Sequence, residues 1–244
     1  MRNLKILGSG DAFASGGKYT TAFYISDSEG GILLDCGAST AVRLKQENIK
    51  LNQIAKVFLT HFHGDHYGGV PFLLITNKFE FGGTHPMTIM GPIGLKDQLR
   101  TLQEAMYPGT GALLDDLPLE FVEYDHTKQT VGSISFQAFE VEHAPPSSPH
   151  GIKLWLGEKI LAFTGDTEWH ENLVHLAQDS ELLITECNNL DTESPGHLSL
   201  QTIRKERPRL KAKQIALSHM GTAMLDEPVE DFIKLIDGQE INLW

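Results

Sequence analysis

Short runs of β-branched, aromatic and aliphatic residues, bounded by Gly, Pro and Asp, recur along this chain. Runs of four to eight such residues between turn signals read as buried strands. In the first half they predict strands at residues 4–7, 21–26, 31–35, 56–60 and 87–90. Between them, residues 39–47 carry helical spacing, with Ser39 or Thr40 as the N-cap. Residues 67–75 read as a loop turning into an apolar helix, and residues 93–106 as a further helix. Residues 107–118, rich in Gly, Pro and Asp, are expected to be a loop, with 107–116 bordering a pocket as a lid. The second half repeats the style. Strands are predicted at 119–124, 134–142, 152–156, 160–164, 181–185 and 214–218, and helices at 170–178, 198–206 and 228–236. Strands cluster and helices intervene, twice over. That pattern predicts an α/β chain built as a four-layer αββα sandwich, two mixed β-sheets flanked by helices, and not a doubly wound parallel sheet.

Length and charge narrow the function classes. The 244 residues show no linker or repeat, so residues 1–244 are expected to form a single domain. Hydrophobic content is 41% and charged content 21%, as in globular chains that stay in water, and no apolar run reaches membrane-spanning length. The first residues turn strand-like too early for a signal peptide, which with two cysteines predicts a reducing, cytoplasmic setting. Cys36 and Cys187 are most simply small buried residues. The net charge of −12 argues against a broad nucleic-acid surface. The one dense basic stretch, residues 204–213, reads as a solvated helix end and loop.

Chemistry concentrates in Thr60-His61-Phe62-His63-Gly64-Asp65-His66, directly after the strand at 56–60. His61 and His63 stand two apart on extended backbone, so both rings can point the same way. Gly64 allows a turn, after which Asp65 and His66 emerge on its other side. Imidazole and carboxylate together suit zinc, and also iron or manganese. Three more donors end strands: His143 before Ala144-Pro145-Pro146, Asp166 in Gly165-Asp166-Thr167, and His219 after Ile215-Ala216-Leu217-Ser218. The count then closes on two divalent ions. His61, His63 and His143 can hold one, Asp65, His66 and His219 the other, and Asp166 can bridge. Paired metals of this kind lie about 3.5–4 Å apart and bring the pKa of bound water from about 15.7 to near 7. Neither a Gly-x-Ser-x-Gly elbow nor a Walker loop offers a rival nucleophile or phosphate cradle.

The ligand loop, His143, Gly165-Asp166-Thr167 and Leu217-Ser218-His219 together resemble the metallo-β-lactamase superfamily, over nearly the whole chain. Leu7-Gly8-Ser9-Gly10, Leu34-Asp35-Cys36-Gly37, Gly64–Pro71, Gly91-Pro92-Ile93-Gly94 and Gly196-His197-Leu198-Ser199 look like its ribonuclease Z branch. That resemblance implies a metal-dependent phosphodiesterase. It gives Asp65 a double role, as ligand and as helper in water activation. It implies that His197, paired with Glu186, assists the leaving group; a structural hydrogen bond is the other role open to Glu186 after its buried strand. It also implies a homodimer formed through the helix after the ligand loop, where residues 70–81 are apolar enough to serve either an interface or the core.

The chain also departs from that branch. Ribonuclease Z carries a long arm for transfer RNA between the third ligand histidine and Gly-Asp-Thr, whereas 22 residues separate His143 from Asp166 here. The segment after His219 lacks the arginine usual in the branch. Small or cyclic phosphodiesters are therefore the expected substrates, and large RNA is not. The rival readings are a ribonuclease Z-type 3′-processing endonuclease, a lactone or thioester hydrolase, and an iron-dependent oxidoreductase on the same scaffold. The first keeps the chemistry and differs in substrate. The second usually places its third histidine in a Pro-Gly-His-Thr-Pro-Gly context, unlike Val141-Glu142-His143-Ala144-Pro145-Pro146. The third is separated by the His197 element, which favours phosphodiester chemistry.

Overall fold

The computed structural model describes residues 2–192 and 194–243. Its strands, in chain order, are β1 (Asn3–Gly8), β2 (Ala22–Ile25), β3 (Gly31–Leu34), β4 (Ile54–Phe58), β5 (Met87–Gly91), β6 (Leu119–Glu123), β7 (Gln129–Val131), β8 (Ile134–Glu140), β9 (His150–Leu156), β10 (Lys159–Phe163), β11 (Leu182–Glu186), β12 (Gln214–Ser218), β13 (Ile233–Lys234) and β14 (Glu240–Asn242). They make two seven-stranded mixed sheets, one in each of two compact units.

The first unit comprises Met1–Gly8, Tyr19–Glu123 and Ile236–Trp244. Its sheet runs β14-β1-β2-β3-β4-β5-β6, antiparallel from β14 to β3 and parallel from β3 to β6. Parallel neighbours need crossovers, and helices supply them. These are α1 (Thr40–Gln46), the single turn α2 (Gly64–Tyr67) with α3 (Val70–Glu80), and α4 (Leu95–Met106) followed by the turn α5 (Leu113–Asp116). Leu33, Val57 and Ile89 sit side by side in register and form one apolar row. Leu44 of α1, Leu73 and Leu74 of α3, and Leu95 and Leu99 of α4 share its core cluster. The buried residues of α4, Leu95, Leu99 and Gln103, recur every four positions, the stripe that turns a helix onto a sheet. The apolar face of α3 likewise goes into this core, through Val70, Leu73 and Leu74.

The second unit comprises Ser9–Lys18 and Tyr124–Leu235. Its sheet runs β13-β12-β11-β10-β9-β8-β7, parallel from β13 to β10 and antiparallel from β10 to β7. Ala162, Leu183 and Ile215 form the matching row. Leu173, Leu176 and Ala177 of α6 (Asn172–Ala177) and Leu200 and Ile203 of α7 (Leu200–Glu206) join them in one core cluster. The expected basic stretch is paired: Arg204 with Asp231, Arg209 with Glu171 and Glu206, and Lys213 with Glu181. Strands β9 and β10 are joined by Gly157-Glu158 alone, with Gly157 at φ 73°, a value a two-residue hairpin turn demands.

Several elements differ from the sequence expectation. Residues 228–236 are not a helix. Val229, Phe232 and Leu235 mimic a helical stripe, but Ile233 instead adds β13 to the open edge of β12. Lys234 Nζ then donates to the carbonyls of Met224, Leu225 and Glu227, which holds this extended segment down. The helical turn falls earlier, as α8 (Thr222–Leu225). The strand at 119–123 closes the first sheet beside β5 and does not open the second. The loop after α4 contains α5, and Glu104 ties it down by accepting from the backbone N–H of Gly109 and Gly111. Ser39 sits at the N-cap of α1 but does not cap it with its side chain; its hydroxyl accepts instead from Thr20 N at 2.9 Å. Cys36 and Cys187 are free and buried, and burial pushes each thiol up to about 12. Among the described residues no helix is long and apolar enough to cross a membrane.

Leu183 lies 1% exposed in the centre of the second row. Leu183→Ala is expected to cost about 2–5 kcal/mol, the usual range for a buried leucine truncation. Urea unfolding checks it, and a loss below about 1 kcal/mol would mean that this row does not support the unit.

Candidate metal centre

The first unit carries its donors at the carboxyl end of β4. His63 is extended, at φ −93° and ψ 146°, and its carbonyl receives the N–H groups of His66 and Tyr67. The motif therefore leaves the strand straight and then coils into α2, which puts Asp65 and His66 on a helical turn. His61 and His66 are fully buried. His61 Nε2 lies 3.1 Å from His63 Nδ1, and His66 Nε2 lies 3.2 Å from Asp65 Oδ2.

One residue orients this group, and the sequence reading gave it no role. Asp35 follows β3, is fully buried, and holds a left-handed φ of 57°. Its carboxylate accepts from Thr60 N at 2.7 Å, Thr60 Oγ1 at 2.8 Å and His66 Nδ1 at 2.7 Å. Burial pushes its carboxyl above the usual range, while the His66 and Thr60 contacts pull it back. The contacts fix tautomers. His66 gives its Nδ1 proton to Asp35, so its Nε2 lone pair faces the Asp65 carboxylate. Thr60 Oγ1 gives its proton to Asp35 and accepts from His61 Nδ1 at 3.0 Å, so His61 also presents an Nε2 lone pair. Acceptors aimed at one another across about 3 Å are the donor set a cation needs. The signal for Asp35 was a lone acid directly after a buried strand, in Leu34-Asp35-Cys36-Gly37.

The second unit carries the other predicted residues, also at strand ends. Asp166 and His219 are 3% exposed, and Asp166 Oδ2 lies 3.2 Å from His219 Nε2 and 4.0 Å from His143 Nε2. His219, at φ 51°, is pinned through its N–H to Ser9 O at 2.9 Å. His143 donates Nδ1–H to the Gly196 carbonyl at 2.7 Å, leaving the lone pair on Nε2. Gly196 is required there: at φ +84° a Cβ would stand 2.6 Å from His143 Nδ1. Glu168 holds the same glycine, accepting from Gly196 N at 2.6 Å.

Glu186 ends β11 and is 1% exposed. It accepts from Thr167 N at 2.6 Å, Leu198 N at 3.2 Å and His197 Nδ1 at 2.9 Å. Burial pushes its carboxyl up, and the His197 contact opposes that shift. The His197 ring stacks on His219 at 5.5 Å and meets His143 edge-on at 4.9 Å. His143, Asp166 and His197 offer ligand atoms within 4.8 Å of one another, as do Glu186, His197 and His219.

The sequence model of a family described as Anti-Pycsar protein Apyc1 matches residues 2–241. The chain belongs to this family. A ribonuclease Z from Staphylococcus carnosus (strain TM300) is 32% identical to the Apyc1-family chain, with 78% of each chain covered. The metallo-β-lactamase fold protein YhfI from Bacillus subtilis has a TM-score of 0.79 at 17% identity, covering 99% of this chain and all of its own. The short form of human tRNase Z has a TM-score of 0.78 at 23% identity, covering 99% of each. The Apyc1-family chain thus has the metallo-β-lactamase fold its sequence predicts, and it is a hydrolase of that superfamily.

Asp35→Asn keeps the shape and removes the charge that orients His66 and Thr60. It is expected to weaken metal affinity or activity about 10–100-fold, the usual cost of losing such a support. Metal content after dialysis and turnover rate check it; wild-type values in both would show that Asp35 orients nothing that matters.

Proposed function

We propose that this chain is a phosphodiesterase of small or cyclic phosphodiesters, working with two divalent metal ions. His61, His63 and His143 would hold one ion, Asp65, His66 and His219 the other, with Asp166 between them; zinc suits this imidazole–carboxylate set best. Bound there, the ions would supply Lewis acidity and a water of lowered pKa. The lone-pair tautomers that Asp35, Thr60 and Gly196 impose on His61, His66 and His143 support the fit.

The observation that carries the phosphodiester reading is the Glu186–His197 pair. A carboxylate at 2.9 Å from Nδ1 stabilises the imidazolium and locks the ring. With Nδ1 engaged by Glu186, a proton delivered to a leaving oxygen comes from Nε2. As water adds to phosphorus and the P–O bond to the leaving group breaks, His197 would protonate the departing alkoxide. Asp65 would take the proton that the water gives up.

A ribonuclease Z-type activity is the second reading, favoured by the S. carnosus relative. Against it stands the β9–β10 hairpin with its two-residue Gly157-Glu158 turn, which occupies most of the stretch between His143 and Asp166 where an RNA-gripping arm is expected. The net charge of −12 opposes it as well.

Bis(p-nitrophenyl) phosphate, cyclic nucleotides, a lactone, a β-lactam and a precursor transfer RNA, tested side by side with zinc or manganese restored, separate these readings. Diester hydrolysis that is lost with a chelator is expected; a protein that keeps two metals yet leaves every diester intact would sink the proposal. Asp65→Ala should abolish turnover and lower metal content. His197→Ala should retain its metals and slow hydrolysis by about 10²–10⁴-fold, the range for a lost general acid. An unchanged rate in His197→Ala would remove that residue from the reaction.

A further inference from the structure

A second group of donors in the same unit shares no residue with those above. His126, Glu140 and His150 each bring a ligand atom to within 4.8 Å of the others. Glu140 and His150 are direct partners across the antiparallel β8–β9 ladder, so their side chains share one face. His126 reaches them from the connection between β6 and β7. It holds a left-handed φ of 63°, and its carbonyl accepts from Gln137 Nε2 at 2.8 Å, which fixes the turn against β8.

The three side chains are arranged as ligands. His126 Nε2 lies 3.6 Å from Glu140 Oε1. Two ligand atoms on a tetrahedral zinc with bonds of about 2.0–2.1 Å stand roughly 3.4 Å apart, so this spacing needs little closure. The His126 and His150 rings lie parallel, 5.4 Å apart at 16°. His150 is 7% exposed and has the Tyr124 ring at 5.4 Å. Its Nδ1 donates to the Ser148 carbonyl at 2.8 Å, so the lone pair sits on Nε2. Burial lowers its pKa and keeps the ring in the neutral form a metal binds. An exposed His–Glu ion pair, which gains little in water, is the plainer alternative. That pair alone gives no reason for a buried, tautomer-locked third imidazole beside it.

We propose that His126, Glu140 and His150 form a further zinc site, separate from the hydrolytic donors. Its three protein ligands leave one coordination position to solvent, since His126 and Glu140 are 46% and 72% exposed in their side chains. A zinc ion here ties the β6–β7 connection to the β8–β9 ladder.

The test is zinc stoichiometry on the full chain, stripped with chelator and dialysed against micromolar free zinc. Wild type should bind one ion more per chain than His126→Ala or Glu140→Gln. Both variants should hydrolyse substrate at the wild-type rate. The same difference of one ion should appear in an Asp65→Ala background, which separates this site from the hydrolytic one. Anomalous scattering at the zinc edge should place that ion between the three side chains. Equal zinc content in wild type and His126→Ala, or an extra ion that binds only at millimolar zinc, overturns the proposal. His126 is exposed, so its truncation tests binding without endangering the fold.

Discussion

The carboxylate of Asp35, buried between β3 and β4, sets the geometry on which the first unit's donors depend. An isolated buried carboxylate is costly, and three donors converging on it offset that cost. Two of them belong to Thr60, which ends the approach to the ligand loop, and the third to His66. One group therefore fixes where the loop starts, which way His66 faces and, through the Thr60 hydroxyl, which nitrogen His61 presents. The second unit repeats the device with Glu186. Again a carboxylate at the end of a parallel strand gathers two backbone N–H groups and one imidazole.

Both devices rest on the same sheet logic. Each sheet has four parallel strands whose apolar rows bury helices on one face. Parallel strands carry their chain ends to one edge, and loops there bring together residues remote in sequence. Rigid rows hold the strand ends, so short loops such as Gly165-Asp166-Thr167 need little internal support. Where a loop is longer, extra polar contacts appear, as Glu168 grips Gly196 and Gly196 grips His143.

The candidate metal donors were legible because each follows a short apolar run and is a residue type with few other reasons to sit there. His61, His63, His143, Asp166 and His219 all show this pattern. Asp35 shows it too, yet a lone aspartate gains meaning only from His66, which the chain supplies 31 residues later. Strands β7 and β14, Gln129–Val131 and Glu240–Asn242, were missed because edge strands are short and half polar. The segment at 228–236 was misread because apolar residues three apart suit a helix locally, while the free edge of β12 decides the matter from a distance. His126, Glu140 and His150 escaped notice for the opposite reason. They flank hairpins, and His126 and Glu140 lie on exposed ground, where histidines and acids are common.

Strand β14 pairs with β1, matching Asn3 to Asn242 and Lys5 to Glu240. During synthesis, β1 leaves the ribosome long before its outer neighbour. At about 5–20 residues per second, the wait is on the order of 10–50 s. Throughout it, one row of N–H and C=O groups on β1 has no ladder partner, and such an edge attracts other strands. The first unit can thus nucleate on β1–β6, but it is sealed only after the whole second unit has been made. The strand that covers the outer edge of β1 is thus the last of its sheet to be made.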